Sequence, residues 1–143
     1  MRFMIMVKAT KDTEAGIFPD NADKLFEAMQ VYHDELVKAG VLLDASGLKP
    51  SSAGWKVKYT GDKRAVVDGP FTEAKEMIAG YTLIQTKTRE EALEWTRRFP
   101  KPHFDDECEI EVRQLYELED FATIDAAKDA IDKFKDMETQ LKR

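Results

Sequence analysis

The stretch "RFMIMVKA", Arg2 to Ala9, decides how the rest of the chain must fold. It is too short for a helix without caps, and apolar enough for a central strand. Successive side chains of an extended chain point to opposite faces, so Phe3, Ile5 and Val7 share one face and Met4 and Met6 share the other. Both faces are apolar, and each needs a cover.

The segments that follow supply one cover. After a loop with Gly16 and Pro19, "ADKLFEAMQVYHDELVKAG" puts Leu25, Met29, Tyr32 and Leu36 on one helical stripe, with Gly40 where a C-terminal cap belongs. "VLLDASG" (Val41 to Gly47) reads as a strand, and "LKPSSAG" as a loop punctuated by Pro50, Ser51, Ser52 and Gly54. "WKVKYTGDKRAVVD" alternates, with Trp55, Val57 and Tyr59 on one side and Lys56 and Lys58 on the other. A Gly61-Asp62 turn then makes it a hairpin. "GYTLIQT" is a further strand, and Thr88-Arg89-Glu90-Glu91 is a capping box opening a helix that carries Leu93, Trp95 and Phe99 and stops at Pro100 and Pro102. "EIEVRQLY" (Glu109 to Tyr116) alternates again.

The order β-α-β, hairpin, β-α-β predicts an α+β fold: a ferredoxin-like split βαβ sandwich with an inserted β-hairpin. Its helices cover one face of the sheet only. The Met4 and Met6 face is left open, and a second copy is the economical cover, so the expected assembly is a homodimer through the sheet face. From Asp120 onward, Phe121, Ile124, Ala127, Ile131, Phe134, Met137 and Leu141 recur in threes and fours, predicting a C-terminal amphipathic helix. The chain thus divides into a ferredoxin-like domain, residues 1–118, and a helical extension, residues 119–143. The extension closes the domain, pads the dimer, or serves as a coiled coil for another partner.

Totals set outer limits on function. A chain of 143 residues, 43% hydrophobic and 35% charged, fits one soluble domain. The N-terminal apolar run is too short for a signal peptide or a membrane span, and Cys108 is the single cysteine, so a cytoplasmic protein without internal disulfides is expected. A net charge of −6 argues against binding nucleic acid. No phosphate loop or nucleophile elbow occurs, and no cofactor is expected. "HFDDEC", His103 to Cys108, contains every type of metal ligand but no zinc or calcium spacing, so no metal is expected there.

The chemistry centres on "VVDGPFTEAKEMIAGY", Val66 to Tyr81. Gly69 gives the backbone freedom, while Pro70 restricts itself and its neighbour, so the turn can hold Asp68 still. Asp68 has two readings. It caps the turn through nearby amides, or it projects into a pocket between sheet and partner, where a carboxylate shielded from water acts as general acid or base. Arg113 lies opposite Ile110 and Val112, on the dimer side if those two face the helices; there it pairs with Asp68 or an anionic ligand, or with a glutamate of its own sheet. Phe71, Trp55 and Tyr81 are candidates for an aromatic wall, although hairpin alternation already explains Trp55 and Tyr59 as core. Glu73 orients a ligand or belongs to a solvated segment with Lys75 and Glu76. His33, one position off the apolar stripe, is expected at the helix flank in contact with water.

Taken together, "FMIMVKA", "ELVKAGVLLDASGLKPSS", "DGPFTEAKE" (Asp68 to Glu76), "AGYTLI", "TREEALEW" and "IEVRQLYELEDF" make the chain resemble the YCII-related family in its DGPF-motif branch, from about Met1 to Phe121. The resemblance implies the architecture of dimeric α/β-barrels, in which two ferredoxin-like sheets pack face to face. It also implies acid/base chemistry by a His and Asp pair in some members, a likeness of one branch to dehydrochlorinases, and frequent encoding beside extracytoplasmic-type sigma factors. Leu25 stands where the other branch carries its histidine, so that dyad is incomplete here. Two functions follow as expectations: binding of a small organic molecule, with proton transfer or elimination at Asp68 and Arg113, or a non-catalytic sensor or accessory role toward a partner such as an alternative sigma factor.

Overall fold

A computed structural model describes residues 1–103 and 108–141 of the chain. The elements run β1 (Arg2–Lys8), α1 (Lys11–Glu14), α2 (Ala22–Lys38), β2 (Leu42–Gly47), β3 (Trp55–Thr60), β4 (Lys63–Asp68), β5 (Ile78–Gln85), α3 (Arg89–Arg97), β6 (Ile110–Gln114) and α4 (Lys128–Leu141). The main sheet has the order β2-β5-β1-β6, every neighbouring pair antiparallel. This is the ferredoxin-like arrangement, with β1 and β5 central and α2 and α3 as the two crossovers.

The inner face of the sheet forms the core. Phe3 and Ile5 of β1 and Ile84 of β5 pack with Tyr32 and Leu36 of α2, Val41 and Ala92. Ile5, Leu36 and Ile84 are fully buried. Tyr32 brings a polar tip into this apolar layer, and its hydroxyl donates to the Trp95 carbonyl at 2.8 Å. Burial pushes the phenol from 10.0 up to about 12, with Arg98 opposing and Glu35 adding to the rise. An unfolded chain would ionise first, so the stability that rests on neutral Tyr32 is full below pH 10 and lost as the pH climbs through about 12. Urea midpoints of the wild type are therefore expected to fall across that window more steeply than those of Tyr32→Phe; parallel curves would contradict it.

The end of α2 is a Schellman motif. Gly40, at φ +73°, donates its N–H to the Val37 carbonyl, and Val41 donates to Leu36, both at 3.0 Å. An alanine at position 40 would meet no neighbour within 4 Å, so the backbone conformation alone resists it. Gly40→Ala is expected to cost about 1 kcal/mol in urea unfolding.

Several sequence expectations are corrected in detail. A short helix, α1, occupies part of the segment read as loop, capped by reciprocal Thr10 and Thr13 bonds of 2.7 and 3.2 Å. The Thr88 side chain accepts from the Glu91 N–H at 3.1 Å, but the Glu91 carboxylate accepts from Lys87 instead of closing the box. The C-terminal helix begins at Lys128, after single 3-10 turns at Leu118–Phe121 and Asp125–Ala127. There, Asp120 accepts from the Glu117 N–H at 2.8 Å, a local bond that competes with helix formation. Of the expected stripe, Ile131 is buried, while Phe134, Met137 and Leu141 are exposed. Among the described residues no helix is long and apolar enough to cross a membrane.

The hairpin of β3 and β4 forms a separate two-stranded sheet. Its Gly61, at φ +58°, opens a two-residue turn that pairs Thr60 with Lys63. Trp55 and Tyr59 are not core: they are 65% and 66% exposed, because no layer of the described residues lies over the hairpin's apolar side.

Candidate functional site

The Asp68-Gly69-Pro70-Phe71 turn is clasped from outside its own sequence. The Gly69 N–H donates to the Gly54 carbonyl at 2.9 Å, and the Phe71 N–H donates to Ser51 Oγ at 2.9 Å. Ser51 in turn donates its N–H to Glu14 Oε1 at 3.0 Å and its hydroxyl to Glu14 Oε2. The Gly69–Pro70 peptide bond is cis. Lys56 Nζ stands 4.3 Å from the centre of the Phe71 ring, a cation–π contact that steadies the end of the turn. Glu14, Ser51 and the turn are thus one junction joining α1, the Ser51–Ala53 3-10 turn and β4.

Asp68 ends β4 directly opposite Trp55. Alternation places it on the same side of the hairpin as Trp55, Val57, Tyr59 and Val66, all of them exposed. Among the described residues its carboxylate makes no hydrogen bond or ion pair, so the capping role is not what holds the turn; Ser51 and Gly54 do that work. Glu73 is exposed, just before the 3-10 turn Ala74–Glu76.

The outer face of the main sheet carries the remaining candidates. Strand register sets them in rows: Arg113, Met4, Leu83 and Asp44 form one, and Glu111, Met6, Tyr81 and Ser46 the next. Met4, Met6, Leu83 and Tyr81 are half-buried. The Tyr81 hydroxyl donates to Asp44 Oδ2 at 2.9 Å. Arg113, its side chain 73% exposed, lies 3.6 Å from Glu111, which also meets Lys8 Nζ at 3.7 Å.

The structure does not bring Arg113 to Asp68. Arg113 belongs to edge strand β6, whereas β2, from which the chain leads toward the hairpin, is the opposite edge. His33 is corrected too. Half-buried at the helix flank, it turns its ring to the sheet: its Nδ1 lies 2.6 Å from the Met29 carbonyl and its Nε2 2.8 Å from Oγ1 of buried Thr82. A carbonyl can only accept, so Nδ1 carries a proton, and both ring nitrogens are occupied by structure.

Two hollows open on the helical side. One, of about 460 Å³, lies between α2 and the end of α3, lined by Lys24, Val31, Tyr32, Glu35 and Arg98; Arg98 pairs with Glu35 and stacks 4.3 Å over Trp95. The other, of about 240 Å³, lies between α3 and β6, with Phe3, Leu93 and Val112 in its wall. Neither includes a residue of the Asp68 turn. The expected pocket beside that turn is open to solvent in a single chain.

Of "HFDDEC", residues 104–107 lie outside the described residues; His103 Nε2 is 3.2 Å from the Lys8 carbonyl. No cluster of three metal-ligating side chains occurs among the described residues. Reading from sequence missed Glu14, Ser51 and Asp44. The paired serines between Pro50 and Gly54 were the available signal for Ser51, since short hydroxyls in such loops bond nearby backbone.

An uncharacterized protein of Rhizobium meliloti (strain 1021) is 29% identical over 75 residues, covering 52% of this chain and 60% of that relative. The profile of the YCII-related domain matches residues 1–119, a span that holds the whole main sheet, both crossover helices and the clasped turn. The chain therefore belongs to the YCII-related family.

Proposed function

We propose that this protein, a member of the DGPF-motif branch, is a homodimer that binds a small organic molecule beside the Asp68 turn, where Asp68 acts as a general acid or base in proton transfer or elimination. The carrying observation is a clasped turn that begins with a carboxylate for which the described residues offer no partner, opposite the exposed ring of Trp55. A carboxylate on a backbone held at a clasped turn, next to bare aromatic surface, matches the make-up of small-molecule sites, apolar walls with a few placed polar groups. Phe71 and Tyr81 extend the wall and Glu73 borders it. The missing side of the pocket comes from the second copy, and Arg113, at the far edge of its own sheet, reaches such a site only across that interface.

Trp55 provides the test. A library of small organic molecules is screened by thermal shift, and hits are titrated against tryptophan fluorescence. Hits are expected to perturb the Trp55 signal, which Trp55→Phe removes, and to lose at least tenfold in affinity in Asp68→Asn. Hits indifferent to both substitutions would overturn the reading. So would a catalysed proton exchange that survives Asp68→Asn unchanged.

A sensor or accessory role is the second reading, favoured by the exposed side chains of Phe134, Met137 and Leu141 on α4. It predicts that a chain ending after Phe121 loses partner binding while its sheet stays folded.

A further inference from the structure

The main sheet has two edges, and only one of them is blunted. An edge strand offers unpaired N–H and C=O groups to any strand that fits, and bulges or local side-chain bonds close such an edge. The β2 edge has both. Its register shifts between Leu42 and Asp44, and the Ala45 N–H, which the ladder turns outward, donates to Asp44 Oδ1 at 2.8 Å.

The β6 edge has neither. It runs from Ile110 to Gln114 in unbroken register with β1. The Leu115 N–H donates to the Arg2 carbonyl at 2.9 Å, and in an antiparallel ladder such bonded pairs recur at every second residue. Arg113 and Glu111 are therefore bonded toward β1, whereas Ile110, Val112 and Gln114 turn their N–H and C=O groups away from it. No backbone group of the described residues pairs with them there.

Beside this edge lies the hollow of about 240 Å³ between α3 and β6. Its walls are apolar: Phe3 and Ala92 are buried, while Leu93 and Val112 remain 39% and 37% exposed. Arg89 is the single charged side chain in the lining, and it makes no ion pair among the described residues. Because β5 ends at Gln85 opposite Arg2, α3 begins at the Gln114 end of the groove, and Arg89 stands there.

We infer that this groove takes an extended segment of another protein as an added strand, one that reads an acidic residue, any residue, then an apolar residue. Antiparallel pairing is the more stable choice per residue, and it runs the segment from the Gln114 end toward Ile110. Alternate side chains of the added strand lie over the hollow about 7 Å apart. The acidic one meets Arg89, and the apolar one enters between Val112 and Leu93. Main-chain bonds to Val112 and Gln114 supply affinity, and the two side-chain positions supply specificity. A second copy of β6 fits less well. Its residues on this face, Ile110, Val112 and Gln114, carry no carboxylate and would leave Arg89 unanswered. The groove shares no residue with the proposed Asp68 site.

The test is a capped peptide, Thr-Glu-Thr-Val-Thr, titrated into the isotopically labelled full chain. It is expected to bind with a Kd of about 100 μM and to slow amide exchange at Val112 and Gln114 while leaving β2 unchanged. Arg89→Glu should weaken binding roughly tenfold, and the peptide Thr-Lys-Thr-Val-Thr should recover most of that loss on the variant. Val112→Pro removes an outward N–H that β1 does not use, a change that edge strands tolerate, and should abolish binding with unchanged far-ultraviolet circular dichroism. The Arg89 exchange decides the matter whether or not the proline variant folds. No binding at about 1 mM peptide, binding unmoved by Arg89→Glu, or a lysine peptide that recovers nothing overturns the inference. So does a Val112 amide protected without peptide, and more so at higher protein concentration, which would put a second copy on the edge.

Discussion

Leu36→Ala is expected to destabilise the protein by about 4 kcal/mol, seen as a lower urea midpoint with an unchanged slope. Leu36 is fully inaccessible to water, and it packs where α2 lies on β1 and β5. Its replacement removes apolar contacts and leaves a cavity that neighbours cannot fill, since Ile5 and Ile84 stand on a four-stranded sheet whose register fixes them. Leu36 is also the residue whose carbonyl receives the Val41 N–H at 3.0 Å as the helix ends, so the cavity opens beneath the turn into β2. Leu36→Met, which conserves volume, should cost less than about 1.5 kcal/mol. If the two variants unfolded at the same urea concentration, the inner face would not be the close-packed layer that its burial indicates.

That layer was legible in the sequence because its signals are local. The alternation of Phe3 and Ile5 with Met4 and Met6, the Tyr32 and Leu36 spacing and the Gly40 cap each constrain a few adjacent residues, and those constraints agree on one antiparallel sheet with helices on one side. The candidate site was only half legible. Asp68, Gly69 and Pro70 announce a turn, but its clasp joins positions 14, 51 and 71, and no period connects residues so far apart in the chain. Arg113 and Asp68 were paired in expectation because alternation put Arg113 on the dimer side, whereas in the chain Arg113 sits on edge strand β6 beside Glu111 and Asp68 ends a strand of the separate hairpin sheet. His33 misled for a related reason: a helical position just off the apolar stripe can still face a sheet when a buried hydroxyl such as Thr82 receives it. Trp55 and Tyr59 alternate like core residues because the hairpin does have an apolar side, but what lies over that side is not encoded in the alternation.

The turn supplies the second large effect. Gly69→Ala would place a Cβ 1.8 Å from the Ser51 carbonyl oxygen and 2.6 Å from its carbon, far inside contact distance. The obstacle is backbone, so no rotamer change relieves it, and Ser51 is itself pinned through Glu14 and through the Gly54 N–H that its carbonyl accepts at 2.9 Å. The turn must therefore lift away, breaking the Gly69 bond to Gly54 and the Phe71 bond to Ser51. Two lost hydrogen bonds and the strain of the move suggest a cost of about 3 kcal/mol, or roughly 10 °C in Tm. The damage should be local. Hydrogen exchange is expected to quicken in β3 and β4, which form their own sheet, while β1 and β5 stay protected by the main core. Adding Ser51→Ala should not rescue the variant, since the clash is with the main chain; rescue would mean that the serine side chain, not the carbonyl, sets the approach. Because Asp68 precedes the displaced residue, the same substitution should weaken any ligand that depends on a fixed carboxylate. Full binding in a Gly69→Ala protein with an unprotected hairpin would separate the clasp from the site.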